Sequence, residues 1–135
     1  MKTPKFYKKD GTEDTARSKR YAQIVSGIGH LAGTSVKCPA LGGVPVKITL
    51  NGIRETAFHA SKSPISTAAA LDLKKQISTA KNPIFKIPKT GTQTKKFGFK
   101  ALFILKGVFN AHTTKITVGM RRCGSVLEYC LTAEQ

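Results

Sequence analysis

Residues 115–132, with the sequence KITVGMRRCGSVLEYCLT, determine the fold more than any other stretch. Apolar and polar residues alternate on both sides of Cys123-Gly124, a pattern typical of two antiparallel strands joined by a two-residue turn. Such a turn fixes which residues face each other. One side of the predicted hairpin is apolar, with the facing pairs Met120–Leu127, Val118–Tyr129 and Ile116–Leu131. This side is expected to cover helices.

The other side of the hairpin is polar. Its predicted facing pairs are Arg121–Val126, Gly119–Glu128, Thr117–Cys130 and Lys115–Thr132. Gly119 is expected to leave open space beside the Glu128 carboxylate. A half-exposed sheet shows such a polar face in any protein, so the pattern alone also fits an ordinary solvated surface.

Upstream segments supply the other elements. Residues 44–50 predict a strand, residues 53–60 a short helix, and residues 67–79 a second helix capped by Ser66. Asn51-Gly52 is expected to end the first strand, and residues 97–109 predict a long one. Helices followed by a run of strands indicate an α+β fold, with N-terminal helices packed on a C-terminal antiparallel meander.

The first 40 residues differ in character from the rest. Thr12 or Asp14 is suited to cap a short helix, and three glycines then interrupt regular structure. We expect residues 1–40 to form a basic, partly flexible arm, and residues 41–135 to form a single α+β domain.

The charge of the chain is its first functional clue. Its 135 residues include 23 Lys and Arg against 7 Asp and Glu, a net charge of +16. No acid occurs from Leu73 to Leu127, a stretch with twelve basic residues. A polyanion such as RNA or DNA is the expected partner, because phosphate contacts release condensed counterions. A solubilising lysine surface is the simpler alternative.

Several classes of protein are disfavoured. No apolar run approaches twenty residues and no secretory signal is visible, so we expect a cytoplasmic protein with no membrane partner. The three cysteines lack metal-ligand spacing, and no phosphate-loop or dinucleotide motif occurs. We therefore predict neither a cofactor nor a metal site.

Candidate site residues come from the polar face. Lys115 and Arg121 would neutralise charge that builds on phosphorus, and Glu128 or a histidine would move protons. Thr132 or Tyr129 would bond a phosphate oxygen or the ribose, although the predicted register puts Tyr129 on the core side.

His59, near the end of the first predicted helix, is a candidate general acid or base because imidazole titrates near neutrality. A capping or packing role is the alternative for this residue. Further nucleic-acid ligands are expected at Lys47, Arg54, Lys100, Thr117 and Arg122.

Residues 46–132 resemble the barnase/EndoU/RelE-like nuclease superfamily, in particular its phage- and polyvalent-protein-associated branch. The segments that carry the resemblance are ITLNGIRE (residues 48–55) with His59, LDLKKQISTA (71–80), ITVGMRR (116–122) and LEYCLT (127–132). The resemblance implies metal-independent RNA cleavage in which the 2′-hydroxyl attacks the adjacent phosphate. It also implies that His59 is the acid or base, that Arg54 and Arg121 bind phosphate, and that Thr132 is the polar residue of the last strand.

The leading hypothesis is therefore a small basic ribonuclease, such as a toxin or a phage-borne protein, with RNA (or DNA) and an acidic protein inhibitor as partners. The alternative is a non-catalytic nucleic-acid-binding or virion-associated protein on the same fold. A third reading is an inhibitor that contacts an acidic protein surface.

Overall fold

The computed structural model describes residues 3–89 and 91–134. Four α-helices lie in these residues: α1 (Thr15–Ile28), α2 (Leu50–Ala60), α3 (Pro64–Leu71) and α4 (Leu73–Thr79). The strands are β1 (Ser35–Cys38), β2 (Val44–Lys47), β3 (Lys81–Lys86), β4 (Phe99–Phe109), β5 (His112–Arg121) and β6 (Val126–Ala133). Short helical turns span Gly29–Leu31, Pro39–Leu41 and Thr92–Lys96.

All six strands form one sheet in the order β1-β2-β6-β5-β4-β3. Every neighbouring pair is antiparallel except β2 and β6, which run parallel through Val46↔Val126 and Lys47↔Leu127. The predicted α+β class is confirmed. The predicted meander corresponds to β4, β5 and β6, and the sheet extends beyond it on both sides.

Three of the four helices, α1, α2 and α3, begin at polar side-chain caps. Asp14 accepts from Arg17 N at 3.0 Å, which satisfies a backbone donor at the start of α1. Ser63 caps α3 in the same way and precedes Pro64, whose fixed φ suits the first helical position. The cap was predicted at Ser66, three residues later, and the predicted helix 67–79 is in fact divided at Asp72 into α3 and α4.

The N-terminal segment is part of the main hydrophobic core. Tyr21, Ile24 and Ile28 of α1 are buried in the same cluster as β1, α2 and the sheet. Two arginines of α1 bind carbonyls where α2 ends: Arg17 Nη2 donates to Phe58 O and Arg20 Nε donates to Ser61 O, both at 2.7 Å. These contacts join the segment predicted to be an arm to the rest of the fold.

The hairpin of β5 and β6 contains a bulge that the sequence did not reveal. Pairs Lys115↔Thr132, Ile116↔Leu131 and Thr117↔Cys130 are those predicted, but the next pair is Val118↔Glu128. Tyr129 is thus an extra residue in β6.

The turn of this hairpin explains the shift. It has three residues rather than two, because Arg121 N donates to Ser125 O and Gly124 has φ +92°. Three-residue hairpin loops with a left-handed last residue are common. The bulge then restores the apolar register nearer the strand ends, so that Met120 and Leu131 both face the core.

The bulge reverses two predicted orientations. Glu128 pairs with Val118 and faces α2, whereas Tyr129 faces the opposite side of the sheet, in a second cluster with Phe97 and Phe99. The predicted pairing of Gly119 with Glu128 on the polar face is therefore wrong. The position of Tyr129 on the core side is wrong for the same reason.

Glu128 is fully buried in the core. Its Oε2 accepts a 2.7 Å hydrogen bond from Thr56 Oγ1, and Oε1 has no hydrogen-bond partner among the described residues. Burial raises the pKa of Glu128 to about 8; the Thr56 hydrogen bond lowers it and the charge of Glu55 raises it. The carboxyl group is therefore mostly protonated near neutral pH, which lets it lie in the core without a cation.

Gly52 lies inside α2 rather than in a turn. Thr49 caps the helix by accepting from Gly52 N at 3.1 Å, so the helix begins before Asn51-Gly52. A Cβ on Gly52 would overlap the backbone oxygen of Glu128 and lie 2.9 Å from its Oε1. Glycine is therefore required where α2 crosses β6.

Replacement of Gly52 by alanine should destabilise the protein. We expect a loss of about 1–3 kcal/mol from overpacking against β6, which exceeds the gain of about 1 kcal/mol in helix propensity. The measurement is urea unfolding, with Gly29→Ala as the control because a Cβ at Gly29 meets nothing within 4 Å and its φ is −57°. Equal stabilities of the two variants would contradict this packing.

Glu128 should make stability depend on pH. Between its ordinary pKa of 4.5 and its folded pKa of about 8, the unfolded chain loses the Glu128 proton while the folded chain keeps it. The free energy of unfolding should therefore fall as pH rises through this window, by about 1.4 kcal/mol per pH unit from this group. Above pH 8 its contribution levels off.

Urea unfolding of Glu128→Gln between pH 5 and pH 9 checks this expectation. The variant lacks the ionisation and should show a shallower decline than the wild type, whereas Glu134→Gln, at an exposed position, should match the wild type. Parallel curves for the wild type and Glu128→Gln would rule out a buried carboxyl that titrates near pH 8.

Candidate functional site

A groove of ≈ 560 Å³ lies on the face of the sheet turned away from the helical core. It is lined by His59 at the end of α2, by residues of segment 84–93, by alternate residues of β4 and β5, and by the last part of β6. Period-two alternation places the groove residues, since Ile116 and Leu131 face the core while their neighbours Thr117 and Cys130 face the groove.

Two rows of paired residues form the floor of the groove. Ile84, Ile104, Thr117 and Cys130 face one another across β3, β4, β5 and β6. The second row lies two residues further along the strands from the Thr117–Cys130 pair, and in it Lys115 pairs with Thr132. The floor thus has an apolar part at β3 and β4 and a polar part at β5 and β6.

The segment after β3 forms a wall of the groove through Ile87, Lys89 and Gln93. Gln93 Oε1 accepts from Lys89 N at 2.6 Å. Burial raises the pKa of the Tyr129 hydroxyl, and the Gln93 side chain lies near enough to lower it. The bulged Tyr129 thereby ties the wall to β6.

His59 and Glu55 form a pair at the end of the groove. They lie one turn apart on α2, and His59 Nε2 is 3.4 Å from Glu55 Oε1. The His59 side chain is 36% exposed, and the Phe58 ring packs against the imidazole edge to face. A carboxylate at this distance orients the imidazole ring. The spacing of four residues was visible in the sequence, but Glu55 was not predicted as a site residue.

The groove is cationic. Lys86, Lys89 and Lys115 line it, and no Asp or Glu is among its described lining residues. Lys86 and Lys89 could not be assigned to the site from the sequence, because only the topology brings β3 beside β4 and hence near β5. Glu55, the acid paired with His59, is not itself a lining residue.

Two other groove residues hold their protons. Burial raises the pKa of Tyr129 and the charge of Glu55 raises it further, while the Gln93 hydrogen bond lowers it. Burial also raises the pKa of the Cys130 thiol, and the charge of Glu55 raises it further, as does that of Glu128 once Glu128 ionises above pH 8. Near neutral pH Tyr129 is therefore a hydroxyl donor, and Cys130 is not a thiolate nucleophile.

Five of the residues named as candidates from the sequence line the groove together: His59, Lys115, Thr117, Tyr129 and Thr132. Two predicted catalytic residues do not. Glu128 has no exposed surface, because the bulge turns it towards α2. Arg121 lies beyond the groove at the end of β5, and its Nε donates to Phe97 O at 2.9 Å.

The remaining predicted ligands lie outside the groove: Lys47 in β2, Arg54 in α2, Lys100 in β4 and Arg122 in the hairpin turn. Arg54 precedes Glu55 on the helix and so lies on a different part of its surface. Its charge acts on Tyr21, whose pKa is raised by burial and lowered in part by Arg54. Phosphate binding by these four residues stays a prediction, and it would take place outside the groove.

The space expected at Gly119 is filled. A Cβ on Gly119 would overlap the Phe99 ring, which lies over this glycine. Phe97, Phe99, Leu102, Leu127 and Tyr129 form a second hydrophobic cluster there. The polar face of the hairpin is thus limited to the end that carries Lys115 and Thr132.

Residues 3–89 and 91–134 contain neither a cluster of metal-binding side chains nor a membrane-spanning helix. These residues contain no group of three or more His, Cys, Asp or Glu side chains arranged to hold a metal ion. None of their helices has the length and apolar character needed to span a membrane.

Comparison of the chain with protein-family models, with curated proteins and with solved structures found no match. The resemblance to the barnase/EndoU/RelE-like superfamily therefore rests only on the sequence segments 48–55, 71–80, 116–122 and 127–132 together with His59.

Proposed function

We propose that the protein is an endoribonuclease that cleaves RNA in the groove without a metal ion. The observation that supports this most directly is the His59–Glu55 pair, at 3.4 Å, beside a groove lined by three lysines. A proton-transfer group next to a cluster of cations is what cleavage of a phosphodiester requires. The net charge of +16 favours a polyanionic substrate.

Lys115 and Thr132 are assigned to the scissile phosphate. They are paired across β5 and β6 in the polar part of the floor. The ammonium group would stabilise charge that builds on the phosphate oxygens, and the hydroxyl would donate a hydrogen bond to one of them. Lys86 and Lys89, on the opposite side of the groove, would hold neighbouring phosphates.

The reaction uses the nucleophile that RNA itself carries. His59 takes the proton of the 2′-hydroxyl, and the 2′-oxygen forms a bond to the adjacent phosphorus. The bond from phosphorus to the 5′-oxygen breaks, and that oxygen takes a proton from the Tyr129 hydroxyl. Water then reprotonates Tyr129 and accepts the His59 proton. The products are a 2′,3′-cyclic phosphate and a 5′-hydroxyl.

Incubation of end-labelled RNA with the protein in EDTA tests this proposal. We expect cleavage that leaves a cyclic phosphate, and no cleavage of the same RNA with 2′-O-methyl groups. His59→Ala should lower the rate by about 10²–10⁴-fold, the contribution of a general base. His112→Ala is the matched control, because His112 lies in the β4–β5 hairpin with Nδ1 3.0 Å from Glu134 O.

Glu55→Gln should lower the rate less than His59→Ala, because the amide keeps the contact with His59 but not the charge. Intact RNA at micromolar protein, or cleavage only after magnesium is added, would contradict the proposal. Binding of RNA without cleavage would support the non-catalytic nucleic-acid-binding alternative instead.

Affinity for RNA should depend on salt. With 2′-O-methyl RNA as an uncleaved probe, three phosphate contacts predict a slope of about −2 for log K against log salt concentration. Lys115→Ala should make the slope about 0.7 less steep. Lys74→Ala, an exposed lysine of α4 outside the groove, should leave it unchanged. Fluorescence anisotropy between 50 and 300 mM salt (about a sixfold range) measures these slopes.

A further inference from the structure

Aliphatic side chains form one side of the groove, where phosphate binding alone does not need them. Ile84, Ile87, Leu102 and Ile104 line the part formed by β3, β4 and the segment after β3. Ile84 is 49% exposed and Ile87 is 80% exposed. Exposed apolar side chains that gather in one concave surface indicate a ligand with an apolar face.

The apolar and polar parts are close enough for one ligand to touch both. Ile104 pairs with Thr117, and Lys115 lies two residues from Thr117 on the same face of β5. Two residues of a strand span roughly 7 Å and adjacent strands are about 4.8 Å apart, so the Cα of Lys115 is about 8 Å from that of Ile104 and about 12 Å from that of Ile84. A nucleotide with its phosphate at Lys115 would therefore place its base over Ile104 and Ile84.

Only an unpaired base can make this contact. In a duplex the faces of each base are stacked on its neighbours and its pairing edge is occupied, so a base must be unpaired to enter a pocket. The groove volume of ≈ 560 Å³ suits a nucleotide rather than a double helix. An aliphatic surface contacts the flat face that every base has, and it offers no hydrogen bonds to read the base edge.

We infer that the groove binds one unpaired nucleobase against Ile84, Ile87 and Ile104, and that the substrate is single-stranded RNA with little preference for base identity. This inference rests on the nucleic-acid binding in the proposed function and does not require cleavage. Lys86, Lys89 and Lys115 provide the charge complementarity to the strand that carries the base.

The test compares three uncleavable 2′-O-methyl RNA probes by fluorescence anisotropy: a 12-nucleotide single strand, the same strand in a duplex, and an abasic strand of the same length. The wild type should bind the single strand about tenfold more tightly than either of the others, as expected for loss of one base contact. Ile84→Ser with Ile87→Ser should remove this preference and leave the affinity for the abasic strand unchanged.

Val108→Ser is the matched control, because Val108 is a 70% exposed aliphatic residue of β4 outside the groove. It should keep the wild-type preference. Equal wild-type affinity for the abasic and base-bearing strands would overturn the inference and leave the proposed function intact. The absence of binding to all three probes would overturn both.

Discussion

The bulge at Tyr129 determines which residues of β6 face the core and which face the groove. A strand has two faces, so one extra residue exchanges the sides on which its neighbours lie. In β6 this places Glu128 in the core and Tyr129 in the groove, while Val126 and Leu131, on either side of the bulge, both stay buried. Both ends of β6 therefore present apolar residues to the core, with Glu128 between them, and the Tyr129 hydroxyl lies on the face where chemistry is proposed.

Helix α2 is held at both ends, and both contacts position His59. At its start, Gly52 allows the backbone to touch β6 at Glu128, and Thr56 donates to the buried carboxyl group one turn later. At its end, the arginines of α1 bind the last carbonyl groups. His59 lies between these contacts and the groove, so its position depends on the sheet and on the N-terminal segment together.

Local patterns in the sequence were enough to predict several elements and part of the site. Alternation identified β5 and β6, a capping residue identified α1, and helical spacing identified α2. The polar face of the predicted hairpin supplied Lys115, Thr117 and Thr132 of the groove. The features that the sequence did not reveal depend on contacts distant along the chain. The bulge could not be predicted because the sequence Cys123-Gly124 is equally compatible with a two-residue turn. Gly52 resembled a turn residue because the residue that it contacts, Glu128, is far away in the sequence. The lysines of segment 84–93 joined the site only through the order of the strands.

The arginine contacts from α1 to α2 have a consequence for how the chain can be altered. Arg17 and Arg20 satisfy carbonyl groups of Phe58 and Ser61, the residues on either side of the His59-Ala60 step. A shortened chain that begins after α1 would leave these acceptors to water and uncover the apolar core beneath the helix as well. Strands β4, β5 and β6 are hydrogen-bonded to one another and not to α1. Such a chain would therefore lose the position of His59 at the groove before it lost these two hairpins. Helix α1 thus supports the end of α2 that carries His59.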